Sequence, residues 1–179
     1  MKALLVVDMQ NDFMSNGSLP VPQANQLIAP INQLMDDFNL VFATKDWHHA
    51  NHVSFQTYPQ HCVKSTKGAE LAIDRNLINH ILHKGETCES YSAFYNELGI
   101  PNSYCNLQGV TLERTLKKYY KVTDLYICGV ALDICVKANA LDAVKLGFNV
   151  KVLRKLCKGL GNEDDALQEM LDNGVEIII

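Results

Sequence analysis

A three-layer, doubly wound α/β fold, with a mainly parallel six-stranded sheet and helices on both faces, is predicted by three observations. Six short apolar runs are spread over 179 residues, helix-like stretches separate them, and glycines close two of those stretches. Runs this short and this apolar suit strands buried on both faces, and their alternation with helical periodicity implies βαβ units. The first strand is ALLVV (3–7), and a helical pattern follows over 22–38, where Pro30 is expected to kink or restart the helix. LVFAT (40–44) is the second strand. The region from 45 to 78 then shows little periodicity, and long segments of that kind tend to be functional. NHILH (79–83) is the third strand, followed by a helix at about 111–120 and the strand DLYICGV (124–130). A helix over 135–146 closed by Gly147, the strand VKVL (150–153), a helix over 163–173 closed by Gly174 and the strand VEIII (175–179) complete the order. With no internal repeat, low-complexity segment or linker, residues 1–179 are expected to form one domain.

Composition excludes several classes of function. The chain is 47% hydrophobic and 20% charged with a net charge of -4, as for an ordinary globular protein. Its pI of about 5.8 and the lack of a Lys/Arg cluster beyond Lys117 and Lys118 argue against nucleic-acid binding. No apolar run approaches a membrane span, and Asp8 interrupts the apolar start as it would not in a signal peptide, so a cytoplasmic protein without membrane partners is expected. Cys62, Cys88, Cys105, Cys128, Cys135 and Cys157 form no C-x-x-C pair and read as free thiols.

Ligands of open α/β sheets bind beyond the carboxyl ends of the strands, which draws attention to Asp8, Asp46, Lys84 and the segment around Ala131. Asp8 ends the first strand in VVDMQNDF, where a helix cap or loop acid is the plainer reading. Lys84 in ILHKGE is by itself an ordinary solvated lysine. In ICGVALDICVKANALDA a strand runs through a short turn into a helix beginning near Cys135. The positive end of that helix is expected to lower the thiol pKa, and free N–H groups at the same turn are placed to receive an oxyanion. The alternative is a small buried hydrophobe. A nucleophilic thiol needs a base and a cation, which Asp8 and Lys84 would provide from two other strand ends.

KDWHHANH (45–52) gathers half of the six histidines. Asp46 and His48, two apart, point to one side of an extended stretch, His49 to the other, and His61 in YPQHCV is a third candidate ligand for zinc, iron or manganese. The alternative is a polar surface loop with incidental histidines.

These segments together resemble the nicotinamidase branch of the isochorismatase-like hydrolases. The resemblance runs in order through VVDMQNDF, DWHHANHVSF, YPQHCV, GAEL, KGETCESYSAF and GVALDICVKANALDA, spanning nearly the whole chain. It implies a catalytic triad of Asp8, Lys84 and Cys135, a cis peptide at Val130–Ala131, and one divalent metal ion on Asp46, His48 and His61, zinc first with iron and manganese as alternatives. His52 matches a residue that is a ligand in some members and a neighbour in others. Tyr58 stands where tryptophan usually precedes Pro-x-His-Cys, Glu89 replaces a frequent aspartate, and the segment between Phe55 and Tyr58 is short.

The implied reaction is hydrolysis of nicotinamide to nicotinate and ammonia through a thioester. Asp8 would take and return protons, the amides of Ala131 and Cys135 would hold the oxyanion, and Phe13, Tyr58 and Tyr91 would wall the ring. Two alternatives remain: a metal-free amidohydrolase acting on carbamoyl or ureido compounds, and a binding protein without catalysis. The sequence leaves open whether the chain works alone or as a homo-oligomer.

Overall fold

A computed structural model describes residues 1–104 and 107–179, with backbone alone at 103, 104 and 107–109. Cys105 lies outside the described residues; the five described cysteines are free.

β1 (Lys2–Val7), β2 (Val41–Asp46) and β3 (His80–Lys84) are followed by a short hairpin, β4 (Ser103–Tyr104) and β5 (Leu107–Thr111). The main sheet then continues through β6 (Asp124–Val130), β7 (Asn149–Lys158) and β8 (Glu176–Ile178). Its order is β3-β2-β1-β6-β7-β8, and every neighbouring pair is parallel. The six expected strands therefore form the expected sheet. Ala3 to Val7 are fully buried because β1 lies at the centre with both faces covered. β2 and β7 run further than their apolar runs suggest, and β7 takes in RKLCK through a register shift opposite Ile127 and Gly129.

The helices α1 (Ile28–Met35), α2 (Leu112–Arg114), α3 (Lys137–Lys145) and α4 (Glu163–Asp172) fall inside the expected stretches, with differences at their starts. A 3₁₀ turn over Ala24–Leu27 precedes α1, which puts Pro30 in the first helical turn, where its missing N–H costs nothing. The stretch expected as a helix from 135 instead begins with a π-helical turn at Leu132, so Cys135 sits inside that turn. Gly147 and Gly174 follow their helices as expected.

The chain grows outward from β1 to β3, returns to β6 beside β1, and grows outward the other way. The switch point therefore lies between β1 and β6, and the residues just beyond them are Asp8 and Ala131 to Cys135. Ligands of open α/β sheets bind at such a point.

On edge strand β3, the His83 ring stacks on Trp47 at 4.3 Å. Burial, and then the Lys45 ammonium, depress His83 from the ordinary 6.5 to about 4. Between those values the unfolded chain binds a proton that the folded chain refuses. His83 should thus support stability fully above about pH 6.5 and progressively less as pH falls toward about 4. Melting curves across this range should show a smaller loss for His83→Gln than for wild type; parallel curves would refute the coupling.

Candidate active site

Three strand ends converge beneath one cleft. Asp8 leaves β1 with φ 48°, a left-handed conformation that Asp tolerates better than most residues. Its N–H donates to Thr44 Oγ1 at 3.1 Å, and the Thr44 hydroxyl donates to Asp8 Oδ1 at 2.6 Å. Lys84 ends β3, and its Nζ lies 2.9 Å from Asp8 Oδ2, 2.5 Å from Asp46 Oδ1, 3.2 Å from the Ser90 carbonyl and 3.4 Å from Cys135 Sγ. One buried ammonium thus joins the thiol, Asp8 and Asp46.

The electrostatics follow from burial and these contacts. Burial favours neutral Lys84, but Asp46 and Asp8 outweigh it and hold the side chain charged. Burial would likewise raise Asp46, yet Lys84 and then His48 bring its carboxyl well below the usual carboxylate range. Asp8 is raised, because burial outweighs the help it receives from Lys84. The thiol of Cys135 departs from the sequence expectation. Burial pushes it well above the ordinary cysteine value, Lys84 offsets part of this, and the negative charges of Asp8 and Asp46 act in the same direction as burial. A helix terminus lowers a thiol pKa when it acts on a partly exposed sulfur; here Cys135 is only 6% exposed, and desolvation wins. Asp8 lies beside this thiol as a candidate proton acceptor.

Asp46, His48 and His61 present one ligand atom each within 4.8 Å of one another, all buried. His48 Nδ1 donates to the Gly85 carbonyl at 2.5 Å and His61 Nδ1 to the Pro59 carbonyl at 2.7 Å. Each ring thereby turns its Nε2 to Asp46 Oδ2, at 3.6 and 3.9 Å, and in the neutral ring that nitrogen has a lone pair to offer an ion. Histidines held through one nitrogen with the other turned to a carboxylate are what a bound divalent ion requires, so the residues fit the metal. Gly85 has φ +67°, and a Cβ there would come 2.7 Å from His48 Cε1, so glycine lets the chain after Lys84 reach that ring. His52 stacks on His48 at 4.2 Å with Nδ1 2.8 Å from Ser54 Oγ, and it stands outside the three-residue group. His49 faces outward to Lys64 and Glu86.

The cleft opens to solvent above these groups. Phe13, Tyr58 and Tyr91 all line it, together with Ala131, Cys135 and the three metal-site residues, and Asp46 comes within 4.8 Å of Cys135. The peptide Val130–Ala131 is cis, as the family resemblance implies.

Sequence reasoning missed the residues that hold this arrangement together. Gln10 clamps the 45–78 region to β1: its side chain donates to the carbonyls of Asp46 and Ala69 at 2.8 and 3.0 Å and accepts from Asp46 N at 2.8 Å. Asp12 accepts from Cys62 N at 2.7 Å, and Asn139 binds both Ala93 N and the Cys135 carbonyl. For Gln10 and Asp12 the signal was available, since QND lies just past the first strand after Asp8 and Met9, but short polar residues after a strand usually make local turns.

A doubly wound parallel sheet here gathers a buried thiol, ammonium and carboxylate beside its switch point, the groups from which a sulfur nucleophile can be built. Residues 2–178 match the Isochorismatase domain, and the chain belongs to that family. It is 36% identical over 203 residues to a nicotinamidase of Acinetobacter baylyi, covering 98% of this chain and 91% of the relative. Among solved structures, the pyrazinamidase of Pyrococcus horikoshii in complex with zinc is 39% identical with a TM-score of 0.86, covering 99% of this chain and 98% of the other. PnC1 of L. infantum in complex with nicotinate is 34% identical with a TM-score of 0.89, covering 99% and 92%.

Proposed function

We propose that the chain, as one domain over residues 1–179, is a metal-dependent cysteine amidohydrolase that converts nicotinamide to nicotinate and ammonia. The observation that carries this reading is Lys84, whose ammonium touches the thiol, Asp8 and a candidate metal ligand at once. The likeness to the nicotinamidase of A. baylyi and to the nicotinate-bound protein of L. infantum supports the substrate. The likeness to the zinc-bound pyrazinamidase supports zinc.

Asp46, His48 and His61 would hold the ion, which when bound would supply a positive centre for the ring nitrogen of a pyridine amide. Phe13, Tyr58 and Tyr91 would enclose the ring. Cys135 Sγ attacks the carboxamide carbon as its proton passes to Asp8. The carbonyl oxygen becomes an oxyanion, received by the N–H groups of Ala131 and Cys135. Asp8 returns the proton to the amide nitrogen, the C–N bond breaks, ammonia leaves and a thioester remains. Asp8 then takes a proton from the attacking water, the C–S bond breaks, and the proton returns to sulfur as the acid departs. Moving the proton within the site suits a buried thiol that has a carboxylate beside it.

Ammonia release should be measured over nicotinamide, pyrazinamide, benzamide and a ureido compound, before and after chelation. Turnover of nicotinamide that falls on chelation and returns with zinc is expected. Turnover of the ureido compound alone, unaffected by chelation, would establish the metal-free alternative.

Lys84→Met removes the charge that lowers the thiol pKa while keeping most of the stem. The alkylation profile of Cys135 with iodoacetamide should move to higher pH, and turnover should fall by at least about 100-fold. An unshifted profile in a folded variant would show that Lys84 is not coupled to the thiol.

A further inference from the structure

The turn between β7 and α4, Gly159-Leu160-Gly161, puts Leu160 into the wall of the cleft. The reaction above gives this turn no role, yet two carboxylates grip it. Asp133, from the same π-helical turn as Cys135, accepts from Leu160 N at 2.9 Å through Oδ1 and from Gly161 N at 2.7 Å through Oδ2. Glu163 accepts from Gly159 N at 2.6 Å through Oε1, and its Oε2 pairs with Arg154 Nη2 at 2.5 Å. Three successive N–H groups are thus held by charge-assisted hydrogen bonds. A Cβ on Gly159 would lie 2.7 Å from Asp133 Oδ1 and 2.9 Å from Glu163 Cγ, so the grip closes directly on backbone.

Asp133 is followed at once by Ile134, which also lines the cleft, and two residues later by Cys135. The carboxylate therefore ties one apolar wall residue, Leu160, to the turn that carries another wall residue and the nucleophile. Both oxygens are spent on backbone, so Asp133 acts on the cleft only through what it holds.

We propose that Asp133 is a positioning residue that sets ring specificity by fixing the distance of the Leu160 wall from Cys135, an inference that rests on the amide-hydrolysis reading. When the wall is released, the ring is gripped less well, while Asp8 and Lys84 stay at the ends of β1 and β3 and the Cys135 carbonyl stays held by Asn139 at 2.8 Å. Loss of the latch should thus appear in KM and in ring selectivity before kcat.

The experiment compares wild type, Asp133→Ala, Leu160→Ala and the double variant on nicotinamide and on a ring-methylated nicotinamide. Asp133→Ala should raise KM for nicotinamide about tenfold with kcat within about twofold, and should narrow the preference for the unsubstituted ring. The double variant should be no worse than Leu160→Ala, because the two changes remove one interaction chain. Full additivity, or a lowered melting temperature with unchanged KM and selectivity, would overturn the proposal. If Asp133→Ala does not fold, Asp133→Asn leaves one acceptor oxygen for the two N–H groups, and Glu163→Gln loosens the turn from its other side. Each should raise KM in the same direction by a smaller factor, and unchanged KM in both would overturn it. Wild type that does not hydrolyse nicotinamide would sink the function and this role together; active wild type with unmoved variants sinks the latch alone.

Discussion

Cys135→Ala is expected to lose nicotinamide turnover by roughly 10⁴-fold or more, the scale on which removal of a covalent nucleophile acts. The fold should persist, since the change removes one small atom from a site framed by three strands. Metal content should persist as well, because Cys135 is not among Asp46, His48 and His61. Iodoacetamide should label Cys135, and nicotinate should protect it. Cys62, Cys128 and Cys157 are buried outside the cleft, whereas Cys135 lines it with the Lys84 ammonium 3.4 Å from its sulfur, so the other three should react far more slowly. A Cys135→Ala enzyme keeping more than about a hundredth of wild-type turnover would rule out covalent catalysis by this residue.

Removal of either imidazole from the proposed metal site should have the second largest effect. His48→Ala and His61→Ala should each purify with little metal and almost no turnover, because a two-histidine, one-carboxylate site has no ligand to spare. His49→Ala should resemble wild type. His52→Ala should weaken metal binding by about tenfold, since a ring stacked on a ligand supports its orientation without contributing a bond. Asp46→Ala is the less clean variant: it removes the partner of Lys84 at 2.5 Å along with the candidate ligand, so restoring metal should not restore turnover. Full metal occupancy in His61→Ala would remove His61 from the ligand set and put His52 in its place.

Much of this architecture was legible in the sequence. Strands such as ALLVV and DLYICGV are covered on both faces, and a chain with no polar face to spare leaves few other ways to bury them. The 45–78 region was legible only as a functional loop. Its shape depends on Gln10 and Asp12 reaching across from β1 to backbone groups of Asp46, Ala69 and Cys62, contacts that no local periodicity encodes.

The sequence by itself determined the order of the six main-sheet strands, their parallel arrangement and the kinds of side chain at the strand ends, but not the β4–β5 hairpin, because the former follow from short-range pattern and from the restricted geometry of βαβ connections. Tertiary structure alone decided how those side chains behave. Lys84 meets Asp8, Asp46 and Cys135 only once β1, β2, β3 and β6 lie side by side. The upward push on the thiol pKa arises from desolvation, which belongs to the packed site and reverses what its place near a helix start suggested. Leu160 lines the cleft and Asp133 captures two backbone N–H groups far along the chain, contacts that depend on distances only folding sets.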